Sequence, residues 1–120
     1  MTIITYQDYE DNQIFSSASF VEVISKSFDV NRDGEYIINV YCEATTSNPA
    51  SIVSLRVLLN TVEGARDDFS IPAANLPHAF STFRTAHVTS GTHYLSLEIK
   101  SSNAADTLTV RRIRVYVMKH

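Results

Sequence analysis

The sequence predicts an all-β protein, an antiparallel β-sandwich, and two features of the chain carry this prediction. First, apolar and polar residues alternate with a period of two in several segments, as they do in strands with one buried face. Second, no segment of the 120 residues shows a sustained helical period, whereas a parallel sheet would need crossover helices between its strands. We therefore expect consecutive strands that pair antiparallel.

Four segments show the alternation most clearly, and β-branched and aromatic residues enrich them, as is typical of strands. They are FVEVISKSFDV from residue 20, EYIINVYCEA from residue 35, SIVSLRVLLN from residue 51 and THYLSLEIK from residue 92. In the last segment, His93 shares a face with Leu95, Leu97 and Ile99. This spacing predicts that His93 is a partly buried histidine at the start of a core strand.

Turn and loop residues separate the alternating segments. NRDGE reads as a tight turn, and TTSNPAS and SSNAAD read as loops. Pro72 and Pro77 bracket a further loop, because proline interrupts both strands and helices. Short strands with regular turns indicate a jelly roll of about eight strands, with little or no helix.

The C-terminal segment TLTVRRIRVYVMKH changes its alternation partway along. Leu108 and Val110 share one parity, and Ile113, Val115 and Val117 share the other. A β-bulge at the pair Arg111 and Arg112 would return both halves to the core face. The alternative is a strand that passes from one environment into another.

Length and composition limit the class of protein. One domain over residues 1–120 fits the chain length, with residues 1–13 as an N-terminal arm or edge strand. The net charge of −3 argues against nucleic acid as the main partner. The single cysteine, Cys42, excludes an internal disulfide and has the parity of a core residue. Neither a signal peptide nor a membrane span is predicted.

Several strands carry apolar residues on the face opposite the core. Ile37, Tyr41, Tyr116 and Met118 have this parity, and Arg112 and Arg114 lie beside them in sequence. Outer faces of sandwich strands are ordinarily polar, so merged apolar residues there indicate a contact surface. We predict that these six residues form a subunit interface. The alternative is that the apolar residues are exposed singly, as on many proteins.

The chain lacks motifs for catalysis. There is no nucleophile elbow and no glycine-rich phosphate loop, and the four histidines do not have metal-ligand spacing. We therefore expect no enzyme activity, no metal and no cofactor. A metal site would require His78, His87 and His93 to converge in space, which the sequence leaves open.

Glycan binding is a separate expectation for a jelly roll. Exposed aromatic rings stack on sugars, and the candidates here are Tyr6, Tyr9 and Tyr94. Tryptophan, the commonest platform residue, is absent from the chain. We treat these three tyrosines as a candidate partner surface.

The chain resembles the small jelly-roll structural proteins of tailed bacteriophages, which are similar to the tumour-necrosis-factor and C1q folds. Four stretches carry the resemblance: YQDYEDNQIFSSASFVEV, DGEYIINVYCEA, FSTFRTAHV and VTSGTHYLSLEIKSSNAADTLTVRRIRVYVMKH. The resemblance implies a homotrimer, synthesis in the host cytoplasm and a place in the virion. It implies a capsid decoration, or cement, protein whose partner is the major capsid protein. The alternative is a receptor- or glycan-binding module of a tail or fibre.

Overall fold

Nine β-strands and no helix make up the chain in the computed structural model, which describes residues 3–120. The strands are β1 (Ile3–Tyr9), β2 (Gln13–Phe15), β3 (Val21–Val30), β4 (Gly34–Thr46), β5 (Ile52–Leu59), β6 (Val62–Ser70), β7 (His78–Val88), β8 (Gly91–Ser101) and β9 (Leu108–Lys119). Within these described residues, no helix is long and apolar enough to span a membrane.

The strands form two antiparallel sheets that pack face to face. One sheet has five strands in the order β1-β9-β4-β7, with β2 also beside β9, and the other has four in the order β3-β8-β5-β6. The chain changes sheet at every connection except β1–β2 and β5–β6. This path is a jelly roll, and the prediction of an all-β sandwich is confirmed.

The predicted N-terminal arm pairs with the body of the protein. β1 and β2 both lie antiparallel against β9 and together form one interrupted edge strand. The first two residues of the predicted 1–13 segment lie outside the described residues. The sandwich thus corresponds to eight strand positions, of which the first is broken.

The core lies between the inner faces of the sheets and follows the predicted alternation. On β4, Tyr36, Ile38 and Val40 are each 1% exposed, and apolar residues of β5, β8 and β9 pack against them. Cys42 belongs to the same row and has no exposed surface. Burial, and secondarily the nearby Glu43 carboxylate, raises the pKa of the Cys42 thiol to about 12.

The predicted bulge in β9 is confirmed. Tyr41 lies opposite Arg114 and Glu43 lies opposite Arg111, so β9 has one residue more than β4 across this interval. Arg112, at the bulge, has a φ of 51°. Val110 and Ile113, on either side, are both fully buried.

A second bulge changes the predicted faces of β3. Glu22 lies opposite Glu98 and Ile24 lies opposite Leu97, which leaves Val23 as the extra residue. Val23 and Ile24 are therefore both buried. The simple alternation expected from Phe20 to Phe28 is wrong at this point, because three of the residues from 21 to 24 are apolar and fit either face.

The open edges of both sheets carry features that oppose pairing with another strand. Register shifts interrupt β1 near Ile4, β3 at Val23 and β6 near Gly64. On β7, Arg84 lies in register with Ile38 of the core face, and its guanidinium occupies the space where a side chain at Gly64 would begin. Bulges and inward charges are recognised protections against edge-to-edge association.

Candidate functional site

The outer surface of the five-stranded sheet is rich in aromatic and apolar side chains. Following strand order β1, β9, β4 and β7, three cross-strand rows read Ile3, Met118, Ile37 and Thr85; Tyr6, Tyr116, Asn39 and Phe83; and Asp8, Arg114, Tyr41 and Ser81. The sandwich core lies on the opposite side of this sheet. We call the following group the aromatic face: Ile3, Tyr6, Ile37, Tyr41, Phe83, Tyr116 and Met118.

Large parts of the aromatic face are open to solvent. Phe83 is 68% exposed, Ile3 is 62% exposed and Tyr6 is 51% exposed. These three residues come from strands at opposite edges of the sheet, so the apolar surface spans its full width. Exposed apolar surface of this extent is typical of an interaction site.

Local contacts order the tyrosines of the aromatic face. The rings of Tyr6 and Tyr116 stack with their centroids 5.7 Å apart. The Tyr6 hydroxyl donates to Asp8 Oδ2 at 3.3 Å. Partial desolvation, followed by the charge of Asp8, raises the pKa of Tyr6 above its usual value. The guanidinium of Arg114 lies 5.9 Å from the centre of the Tyr41 ring and 3.7 Å from Asp8 Oδ1.

A charged cluster borders the aromatic face at the β9 bulge. Glu43 accepts hydrogen bonds from Arg111 Nε at 3.0 Å, Arg112 Nη1 at 3.3 Å and the Tyr41 hydroxyl at 3.1 Å. Burial alone would raise the pKa of Glu43, but these donors outweigh it and hold the pKa below its usual value. Burial and then the bond to Glu43 raise the pKa of Tyr41.

The bulge explains how two consecutive arginines reach one carboxylate. In a regular strand, adjacent side chains point to opposite faces. The left-handed conformation of Arg112 breaks that alternation, so Arg111 and Arg112 both reach Glu43. Arg112 and Arg114 remain about half exposed, at 55% and 49% of their side chains.

The structure brings the six residues predicted for a subunit interface together around one sheet face. Ile37, Tyr41, Tyr116 and Met118 lie in neighbouring rows, with Arg112 and Arg114 beside them. Ile37 has the predicted outward parity but is only 5% exposed. Tyr6, predicted as part of a separate partner surface, belongs to the same face.

Two other predicted partner residues lie elsewhere. Tyr9 is opposite Ile113 and packs against the core, so the expectation that it is an exposed stacking residue is wrong. Tyr94 is on the outer face of the four-stranded sheet and is 53% exposed. It is therefore separated from the aromatic face by the thickness of the sandwich.

Sequence reasoning missed Ile3 and Phe83. Phe83 has the opposite parity to the buried Phe80 in the same strand. This odd spacing is the sequence feature that indicates an outward-facing Phe83. Ile3 was hidden because the N-terminal segment has no clear alternation. Only its pairing with Met118 shows which side it faces.

The three histidines that a metal site would require lie apart from one another. His78 stacks on Phe69 with centroids 4.0 Å apart, whereas His87, near the other end of β7, contacts Glu35 at 3.1 Å. His93 is half-buried on β8, as the alternation predicts. Among residues 3–120, no group of three or more His, Cys, Asp or Glu side chains is placed to hold a metal ion.

Both ring nitrogens of His93 have hydrogen-bond partners. The Tyr94 N–H donates to Asn60 Oδ1 at 2.9 Å, so the amide nitrogen of Asn60 faces His93 Nδ1 at 2.8 Å. The ring accepts there and donates from Nε2 to the Thr89 carbonyl at 2.6 Å. These contacts tie together two turns, β5–β6 and β7–β8.

Comparison with known proteins defines the class by fold. The chain is similar to the Eiger TNF of S. frugiperda, with a TM-score of 0.59 and 10% identity over 100% of this chain and 94% of that one. It is similar to infectious bursal virus T=1 particles, with a TM-score of 0.71 and 11% identity over 96% of this chain and 31% of that one. It is also similar to the carbohydrate-binding module CBM36, solved with calcium and xylotriose, with a TM-score of 0.55 and 14% identity over 94% and 99%.

These likenesses show the fold alone, since every identity is low. No protein-family model matches the chain, and no curated protein matches it. The protein is therefore placed among jelly-roll β-sandwiches, a class that includes viral capsid, TNF and carbohydrate-binding domains.

Proposed function

We propose that the protein is a non-enzymatic structural component of a virion, a homotrimer that decorates and stabilises the head of a tailed bacteriophage. It is made in the host cytoplasm, and its partner beyond its own copies is the major capsid protein. The sequence resemblance to phage jelly-roll proteins supports this role. The likeness of fold to a viral capsid protein is compatible with it.

The aromatic face is the observation that carries the proposal. Its exposed apolar surface needs a partner, and the protections on the open edges of the sheets oppose association by strand addition. Two further copies of this chain cover this surface when the three subunits associate through their aromatic faces. The half-exposed Arg112 and Arg114 then fix the register of the subunits more than they add affinity.

Stabilisation of the head follows from mass action. A protein that binds only the assembled shell shifts the equilibrium from free capsid subunits towards that shell. A trimer strengthens the effect, because three linked contacts bind more tightly than one. The reaction needs no catalytic group.

Sedimentation velocity at micromolar concentration tests the assembly. We expect a trimer for the wild type and a monomer for the variant Phe83→Lys, which places a charge on the most exposed ring of the aromatic face. The matched control is Tyr94→Lys, on a comparably exposed aromatic residue of the other sheet, and it should remain trimeric. A wild-type protein that is strictly monomeric overturns the proposed assembly.

The location in the head is tested on particles. Heads prepared with and without the protein should differ in their resistance to heat, and the protein should co-purify with the heads. A protein that co-purifies only with tails contradicts the decoration role.

A glycan-binding role in a tail or fibre is the second candidate, and Tyr94 favours it. This ring is 53% exposed on the outer face of β8, where it could stack on a sugar. The fold is shared with CBM36, a carbohydrate-binding module. A glycan array tests this role: hits that disappear in Tyr94→Ala support it, and an array without hits removes it.

A further inference from the structure

Four connections meet at one end of the sandwich, and backbone hydrogen bonds join them to one another or to the adjoining strand ends. They are residues 16–20, 47–51, 71–77 and 102–107, and we call them the loop end. Ser47 N–H donates to the Thr107 carbonyl at 2.9 Å, and Ser101 N–H donates to the Ser17 carbonyl at 2.9 Å. The third loop is joined by Asn75 N–H, which donates to the Thr46 carbonyl at 2.8 Å. The four loops therefore form one continuous surface.

No exposed residue of the loop end is charged, and the nearest cations are those of Arg56, Arg66 and Lys100, which lie over the Phe20 ring at its border. Its exposed residues are serine, threonine, asparagine, alanine, proline and leucine, and its one ionisable residue, Asp106, is 4% exposed. Charged residues make up 19% of the whole chain. The opposite end carries Arg32, Asp33 and Glu35 in exposed positions. The absence of exposed charge is thus a local property of the loop end.

Asp106 holds the loops in one arrangement. Ser101 Oγ donates to Asp106 Oδ2 at 2.7 Å, and Asn48 Nδ2 donates to Ser51 Oγ at 3.2 Å in the adjoining loop. Hydrogen bonds from Ser51 and then Ser101 outweigh the effect of burial and lower the pKa of Asp106. The Asp106 carboxylate thus accepts hydrogen bonds from within the protein and orders the loops around it.

Burial of a surface of this kind on binding costs little free energy. Alanine, proline and serine lose little side-chain entropy on binding, and a surface without charges has none to desolvate. The loops are already ordered by their mutual bonds. Leu76, which is 45% exposed, supplies an apolar anchor.

We infer that the loop end is the docking surface for the shell, and that it recognises an uncharged protein surface there. The inference rests on the proposed function and deepens it. The aromatic face lies along the strands, and the loop end lies at the ends of the strands. Three copies that associate through the aromatic face around an axis parallel to the strands therefore present three loop ends in one direction.

Charge insertion tests the inference. Ala50→Lys and Ala104→Lys each place an ammonium on an exposed alanine of the loop end, and Asn31→Lys is the matched control in an exposed turn at the opposite end. Binding is measured by co-sedimentation with purified heads assembled without the protein. We expect both loop variants to remain trimeric and to bind heads roughly tenfold or more weakly, because the new charge is buried without a partner. The control should bind as the wild type does.

Salt provides an independent measurement that does not depend on any variant. Wild-type binding to heads should change little with ionic strength, because no charge pairs form across the contact. A steep loss with added salt, or loop variants that bind as well as the wild type, overturns the inference and leaves the decoration role intact. A wild-type trimer that does not bind heads at all overturns the decoration role itself.

Discussion

Tyr6 and Tyr116 stack directly across the pair of strands β1 and β9, with their ring planes inclined by 21°. The contact joins the edge strand β1 to a central strand on the solvent side of the sheet. It therefore has two consequences. It attaches the N-terminal strand to the sandwich, and it fixes the position of the exposed Tyr6 ring within the aromatic face.

A double-mutant cycle measures the first consequence. We expect Tyr6→Ala and Tyr116→Ala to destabilise the protein, and the pair to show a coupling of about 0.5–1.5 kcal/mol, as stacked aromatic pairs do. Chemical unfolding at matched protein concentration gives the values, because assembly adds to the apparent stability. The control cycle combines Tyr116→Ala with Tyr94→Ala, which lies on the other sheet and should be additive. Additivity in the Tyr6 cycle would contradict the proposed role of the stack.

The bulge in β9 makes a prediction about backbone conformation. Arg112 has a φ of 51°, in the left-handed region that costs other residues about 1–2 kcal/mol relative to glycine. Arg112→Gly and Arg112→Ala both remove the contact with Glu43, so their difference isolates the backbone. We expect the glycine variant to be more stable by about 1 kcal/mol in chemical unfolding. Equal stability would mean that Arg112 does not hold this conformation in solution.

The two bulges show what the sequence can predict about the fold. In β9, apolar parity switches cleanly between Val110 and Ile113, and a bulge is the change that keeps both inside. In β3, Val21, Val23 and Ile24 satisfy either parity, so no switch is visible. Alternation therefore locates a bulge only where polar residues mark the outer face on both sides of it.

The candidate site was partly predictable for a related reason. Parity correctly assigned Tyr41, Tyr116 and Met118 to the outer face. It could not predict that Ile37 is covered or that Tyr9 faces the core, because burial depends on the strands that lie alongside. Pairing of strands distant in sequence supplies that information, as in the contact of Ile3 with Met118.

Because the Cys42 thiol is buried, we expect it to react slowly with thiol reagents. Cys42 has no exposed surface, and burial raises its pKa to about 12, so almost no reactive thiolate forms at neutral pH. We expect a thiol reagent to leave the native protein unmodified and to label one cysteine per chain after denaturation. Rapid labelling of the native protein would show that the β4 strand opens.

Acid should weaken the cluster at the bulge through Glu43. The hydrogen bonds from Arg111, Tyr41 and Arg112 hold the pKa of Glu43 below its ordinary value of 4.5. A carboxylate with a lowered pKa stabilises the folded state above its unfolded pKa, and this contribution is lost as the pH falls through the folded pKa. We expect Glu43→Gln to lower the free energy of unfolding by about 1–2 kcal/mol at neutral pH, since the partners are partly exposed. The difference should shrink as the pH falls below 4.5.

Glu35→Gln is the matched control for this titration. Glu35 is also a carboxylate on the outer side of β4, but its ion pair with His87 is exposed on both sides. Exposed pairs contribute little, so we expect this variant to unfold within about 0.5 kcal/mol of the wild type. If Glu43→Gln and the wild type keep a constant difference down to the lowest pH at which both fold, the charge of Glu43 is not what stabilises the cluster.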